Sequence, residues 1–171
     1  MARRRYQTVT RIALVRRSRP GMSDAQGTGR FEGKTYILPI RIYYEDTDLS
    51  GIVYHANYLR YMERGRSEFF RSVGITRLAH LGRPEPTAWT LRRVEIDYLK
   101  PARIDDLIEV HTRATLLTGV RLGAEQNVFC GAAQLTRGLI EACIITLDGK
   151  PRRIPQEMRE KLAPFVTETA A

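Results

Sequence analysis

The 171-residue chain has no long apolar run, and none of its stretches approaches the roughly 20 residues a membrane-spanning helix needs. Cysteine is scarce. Cys130 and Cys143 have no metal-type partner spacing and read as small buried residues in a reducing compartment. The three histidines, His55, His80 and His111, are scattered without ligand spacing, so no metal is expected. No Gly-x-Ser-x-Gly elbow appears, which argues against a serine hydrolase. No Walker or dinucleotide-binding glycine pattern appears either, and no cofactor is expected.

Acidic residues are missing from the first 23 positions, and that gap explains most of the net charge of +9. Residues 1–33 carry eight Arg against Asp24 and Glu32, which leaves only +3 for the rest of the chain. The body is therefore no polyanion track, and no nucleic-acid partner is expected. The basic start, followed by a Gly/Ser/Asp/Gln-rich stretch, reads as a disordered extension over 1–33. Its Arg-rich, acid-poor composition also resembles an organellar transit peptide, and a translation start at Met22 is an alternative.

What remains is one ordinary domain, 43% hydrophobic and 27% charged, expected over 34–165 with a flexible tail at 166–171. Its most informative stretch is RIYYEDTDLSGIVYHANYLRYMERGR, residues 41–66. Ile40, Ile42 and Tyr44 alternate with Arg41 and Tyr43, the period of a strand with one buried face, so a strand is expected from Lys34 to Tyr44. Asp46 to Gly51 is a run of turn formers. Then Tyr58, Leu59, Met62, Gly65, Phe69, Phe70 and Val73 recur at three- and four-residue steps, predicting a buried helix that ends near Gly74. Gly65 costs helix propensity, and close approach of the helix to a sheet would compensate.

Residues 75–88 read as a loop around Gly82, Pro84 and Pro86. Strands follow around Val94–Tyr98, Ile108–Leu116 and, less cleanly, 120–135. Leu139–Leu147 is apolar on both faces, as in a central strand, and a short helix is expected over Pro155–Leu162. The order predicts an α+β fold, an antiparallel sheet of about five strands wrapped around one long central helix.

The turn brings carboxylates and a histidine to a helix mouth, where free amides and partial positive charge suit a polarised carbonyl. Asp48 is either a turn residue satisfying local amides or a carboxylate that attacks a carbonyl or activates water. His55 is either hydrogen-bonded beneath the first turn or a site residue. Tyr44 is either core or, facing the cleft, a hydroxyl able to hold Asp48 or the water. Asp46 reads as structural, Asn57 as an N-cap, and Glu63 as a partner of Arg66 or a backbone group. A thioester would suit this equipment, because thiolate leaves without a strong acid and one amide donor on the carbonyl oxygen is worth about 3–4 kcal/mol.

The order Tyr44, Asp46-Thr47-Asp48, Gly51, Val53, His55, Asn57-Tyr58, Tyr61, Glu63, Arg66, with DYLKPARIDD at 97–106, resembles the 4-hydroxybenzoyl-CoA thioesterase family. Within it the chain is most similar to the bacterial acyl-CoA thioesterases associated with the Tol-Pal system. The resemblance implies the hotdog fold, a homodimer or homotetramer, and hydrolysis of an acyl-CoA or acyl carrier protein thioester by a cytoplasmic enzyme. It makes Asp48 the catalytic acid and His55 and Tyr44 site residues. A hotdog hydratase/dehydratase and an acyl-CoA-binding protein without turnover are the alternatives.

Overall fold

The computed structural model describes residues 29–76 and 85–169. Residues 1–28 of the extension expected over 1–33, most of the 75–88 loop, and His80 lie outside the described residues. Strand β1 spans Arg30–Glu32 and β2 spans Thr35–Arg41. A 3-10 turn at Tyr44–Asp46 and helix α1, His55–Ser72, follow. Four long strands come next: β3 (Thr87–Tyr98), β4 (Leu107–Leu117), β5 (Leu122–Cys130) and β6 (Ala133–Thr146). The chain closes with β7 (Pro151–Arg152), α2 (Gln156–Leu162), a 3-10 turn at Ala163–Phe165, and β8 (Glu168–Thr169).

These strands form one sheet of order β1-β2-β4-β5-β6-β3, with β7 added to β6 and β8 to β4. Every pairing is antiparallel except β4 with β8. The expected architecture is present, with eight strands rather than about five. The additions are mostly strands of two or three residues, too short to show alternation. The stretch expected as one strand over 120–135 is a hairpin that turns between Cys130 and Ala133.

Helix α1, 18 residues and about 27 Å long, lays Tyr58, Tyr61, Met62, Gly65, Phe69 and Phe70 on the sheet. Leu59, expected in that stripe, is 40% exposed. Gly65 explains how closely helix and sheet approach. A Cβ there would stand 2.8 Å from Val110 Cγ1 and 3.0 Å from Thr112 Oγ1, so any side chain would push the helix away. Beside it the fully buried Gln126 donates to the Met62 carbonyl at 2.8 Å and to Thr112 Oγ1 at 2.9 Å, and accepts from Arg66 at 2.6 Å. The middle of the helix is thus both packed and hydrogen-bonded to β4 and β5.

Packed elements lie beyond both expected boundaries, 34 and 165. Phe31 on β1 stacks on Phe165 at 4.8 Å and meets Tyr36 and Phe69 edge-on. The ordered domain therefore begins before residue 34. Val166 is 2% exposed, and Thr167 N donates to the Ala114 carbonyl at 3.1 Å. The expected tail from 166 onward is thus tied to β4 at least through β8. Strand β6 is central, as expected, but its two faces differ: Ile140, Ala142, Ile144 and Thr146 face inward, while Leu139 is 50% exposed.

Candidate active site

Strand β2 stops at Arg41, three residues short of Tyr44. The chain bends there because Asp46 Oδ2 accepts the Tyr43 amide at 2.8 Å and closes a 3-10 turn. The Asp46 carbonyl then accepts the Tyr54 amide at 3.0 Å and Asn57 Nδ2 at 2.9 Å. Asp46 is therefore structural, as expected. Asn57 lies inside the first turn of α1 and ties it to that carbonyl, whereas the N-cap position is Tyr54.

Between Asp46 and the helix the chain doubles back. Thr47 bridges Val53, Asp48 N donates to Ile52 O at 3.0 Å, and Gly51 N donates to Asp48 O at 3.0 Å. Gly51 takes φ +73°, a conformation that costs glycine nothing and most residues strain. This small hairpin holds Asp48 beside the strand that runs directly into α1.

The helix mouth offers specific donors. Of the amides from Tyr54 to Asn57, Tyr54 N is taken by Asp46 O, and Asn57 N by Tyr54 O at 2.8 Å. The amides of His55 and Ala56 have no acceptor among the described residues. Two adjacent free N–H groups at the positive end of a long helix form a ready oxyanion site.

The Asp48 carboxylate is exposed and poised as an anion. Its Oδ1 accepts both the Ser50 hydroxyl and the Ser50 amide, the latter at 2.8 Å. The hydroxyl bond most of all, then the amide bond and a smaller attraction from His55, hold the carboxyl below its ordinary value. Its Oδ2 has no partner among the described residues, so one oxygen is anchored and the other is available.

His55 opens the helix, with its ring 4.4 Å from that of Tyr54. His55 is near enough to Asp48 to attract its carboxylate, whereas nothing among the described residues ties the Tyr44 side chain to either. Its side chain is 83% exposed in the 3-10 turn, and its hydroxyl meets nothing among the described residues. The period-two reading carried Tyr44 to the core face of a strand that ends before reaching it.

Sequence reasoning gave no role to Tyr98. At the end of β3 its hydroxyl donates to the His55 carbonyl at 3.1 Å, and its ring stands edge-on to His55 and Tyr58. Tyr58 Oη in turn accepts the Ala102 amide at 2.9 Å. The two tyrosines lock the first helical turn to the segment after β3. Its alternation with Val94 and Ile96 marked Tyr98 as a strand residue, but nothing local marked its reach to residue 55. A cleft of about 270 Å³ opens here, lined by Ile52, His55, Tyr58, Tyr98 and Lys100 among others.

Other expectations sort readily. Glu63 is half-buried and accepts the Ser67 hydroxyl at 2.7 Å, while Arg66 reaches Gln126. His111 pairs with Glu109 at 3.3 Å and lies against Phe129 at 4.6 Å, away from this cleft. Tyr61 is buried beneath the turn, and burial, then the neighbouring Asp46 carboxylate, push its hydroxyl up. Among the described residues no three of His, Cys, Asp and Glu gather as a metal site. No helix among them is long and apolar enough to cross a membrane.

Comparison with known proteins identifies the family. Residues 50–136 match the family model described as the thioesterase superfamily. The chain is 34% identical over 122 residues to a protein of Escherichia coli named acyl-CoA thioester hydrolase YbgC, covering 70% of this chain and 90% of that one. It is 34% identical over 125 residues to acyl-CoA thioesterase YbgC of Haemophilus influenzae, covering 72% and 91%. Among solved structures, a probable thioesterase from Bartonella henselae superposes with a TM-score of 0.69 at 39% identity, over 71% of this chain and 99% of that one.

Proposed function

The chain belongs to the thioesterase superfamily, and on that premise we propose that it hydrolyses acyl-CoA thioesters to a free carboxylic acid and CoA. The observation that carries this reading is the pairing of an anchored carboxylate, Asp48, with the free amides of His55 and Ala56 at one helix mouth. The thioester carbonyl oxygen sits on those two amides, where growing negative charge is stabilised without reorganisation. Asp48 Oδ2 takes a proton from water as that water attacks the carbonyl carbon, or attacks the carbon itself to form an anhydride that water then opens. The carbon–sulfur bond breaks, thiolate leaves, and the proton returns to sulfur. His55 orients the water or polarises the carbonyl, and Tyr98 holds the His55 peptide. Tyr44 has no part in this scheme.

A second copy completes the assembly. Strand β3 is 12 residues long, and of its two edges only the one facing β6 is paired among the described residues. Arg92 and Arg93 sit at its middle, with Glu95 and Asp97 beyond them. Antiparallel pairing of the free edge with the same strand of another copy, around a twofold axis, satisfies its open backbone groups. Lys100, lining the cleft, suits the phosphates of the CoA arm. The unpaired cysteines fit the reducing cytoplasm. Acyl carrier protein thioesters share the reacting group and are the second substrate to assay.

The test is release of free thiol from a panel of acyl-CoAs by the wild type and by Asp48→Ala. Turnover by the wild type that is lost in the variant is expected. Saturable acyl-CoA binding with no thiol released by either would identify a binding protein instead.

A further inference from the structure

Two peptide groups carry the free amides at the mouth of α1. The His55 N–H belongs to the Tyr54–His55 peptide, and the Ala56 N–H to the His55–Ala56 peptide. In a planar trans peptide the carbonyl points away from the N–H, so each of these units has a back as well as a front. Both backs are capped. Tyr54 O accepts the Asn57 amide at 2.8 Å, within the first turn of the helix itself. His55 O accepts the Tyr98 hydroxyl at 3.1 Å, from a residue 43 positions further along the chain.

The platform that carries Tyr98 is tied on both sides. Tyr98 ends β3 and pairs with Thr136 on β6, and the next two amides, of Leu99 and Lys100, both donate to Leu135 O, at 2.8 and 3.1 Å. On the other side Val53 N donates to Ala102 O at 2.9 Å, and Ile52 bridges Arg103. The Tyr98 ring is braced edge-on against Tyr58 at 5.7 Å. Segment 98–103 therefore joins β6 to the residues entering α1, and holds the hydroxyl against the His55 carbonyl. Partial burial pushes that hydroxyl up from its ordinary value, so it remains a proton donor throughout the neutral range.

We propose that Tyr98 is a positioning residue, whose bond to the His55 carbonyl orients and polarises the peptide unit that presents the Ala56 N–H to the thioester oxygen. The inference rests on the hydrolase reading above. A donor on a peptide oxygen draws electron density from the nitrogen of the same unit, so its N–H becomes a stronger donor, by about 10–30% per bond. One oxyanion donor is worth about 10²–10³ in kcat, so strengthening it by that fraction is worth about two- to eightfold. The bond also fixes the plane of the peptide, which keeps the Ala56 N–H aimed at the oxygen before the reaction begins.

The test is Tyr98→Phe, which keeps the ring and its edge-on contacts with His55 and Tyr58 and removes only the hydroxyl. Acyl-CoA turnover, melting curves, and the NMR shifts of the His55 carbonyl carbon and the Ala56 amide proton are compared in the wild type and the variant. The variant should melt near the wild type, with kcat about two- to eightfold lower and KM within about twofold. Both shifts should move upfield, and because the ring is unchanged they report the lost bond. An unchanged kcat in the folded variant would overturn the inference. So would a lower kcat with both shifts unmoved, because the effect would not then pass through the peptide. A loss carried entirely by KM would make Tyr98 a substrate contact and overturn the positioning role. A wild type that releases no thiol would refute the hydrolase reading itself, whereas the outcomes above, read beside an active wild type, bear on Tyr98 alone.

Discussion

The two halves of α1 are held in opposite ways. The middle, around Gly65, is pressed onto β4 with no room for a Cβ and is bonded through Gln126, which is fully buried. The mouth, at His55, is held by single hydrogen bonds from Asp46, Asn57 and Tyr98, and leaves two amides unspent. One end is bonded to the sheet through Gln126, and the other keeps donors in reserve. A free N–H costs little where water or substrate can reach it, whereas a buried one would cost roughly 1–3 kcal/mol. The proposed chemistry therefore belongs to the open end, and the closed end fixes the helix that carries it.

Substitutions at the two ends should separate activity from stability. The largest effect is expected from Asp48→Ala, which should lower kcat by about 10²–10⁴-fold. Its melting temperature should stay near that of the wild type, because an exposed carboxylate leaves the packing untouched. Gly65→Val should do the reverse. It should cost about 2–3 kcal/mol in chemical denaturation, with the remaining folded fraction turning over normally.

Part of this contrast was legible in the sequence. The three-and-four spacing found α1, and a glycine inside it announced a close approach that Val110 and Thr112 confirm. The turn residues from Asp46 to Gly51 marked the turn that holds the candidate site, because turn chemistry is local. Partnerships across the chain were not legible. Phe31 is a lone aromatic in a polar stretch until Phe165 stacks on it, so β1 and the chain's end both read as tails. Tyr44 was misplaced for a local reason: the alternation of Ile40 and Ile42 runs on in the letters, while Asp46 bends the backbone first. Nor does any spacing reveal that His55 and Ala56, rather than their neighbours, keep their amides free; that depends on the Asp46 carbonyl.

Smaller effects sharpen the comparison. Gln126→Leu removes a hydrogen-bond partner of Arg66, of Met62 O and of Thr112 at the closed end, and should cost about 1–3 kcal/mol of stability, read by denaturant unfolding. Ser50→Ala acts at the open end. Its hydroxyl favours the charged form of Asp48, so its loss should raise that carboxyl toward the usual value of about 3.9. Activity that needs the anion holds above the carboxyl's pKa and falls as the pH drops through it. The acid limb of the kcat/KM profile should therefore move to higher pH in Ser50→Ala, with little change at neutrality. Tyr44→Phe should be the mildest, less than about twofold in kcat, since its hydroxyl has no partner to lose among the described residues.

The most direct test is single-turnover thiol release by Asp48→Asn from the acyl-CoA of the panel that the wild type turns over fastest. The amide keeps an oxygen for the Ser50 bonds and removes only the charge and basicity. A variant that melts like the wild type, binds the thioester and releases thiol at least a hundredfold more slowly is predicted. Release at the wild-type rate from that folded variant would contradict the account, because the reaction would then run without the ionised carboxylate at the helix mouth.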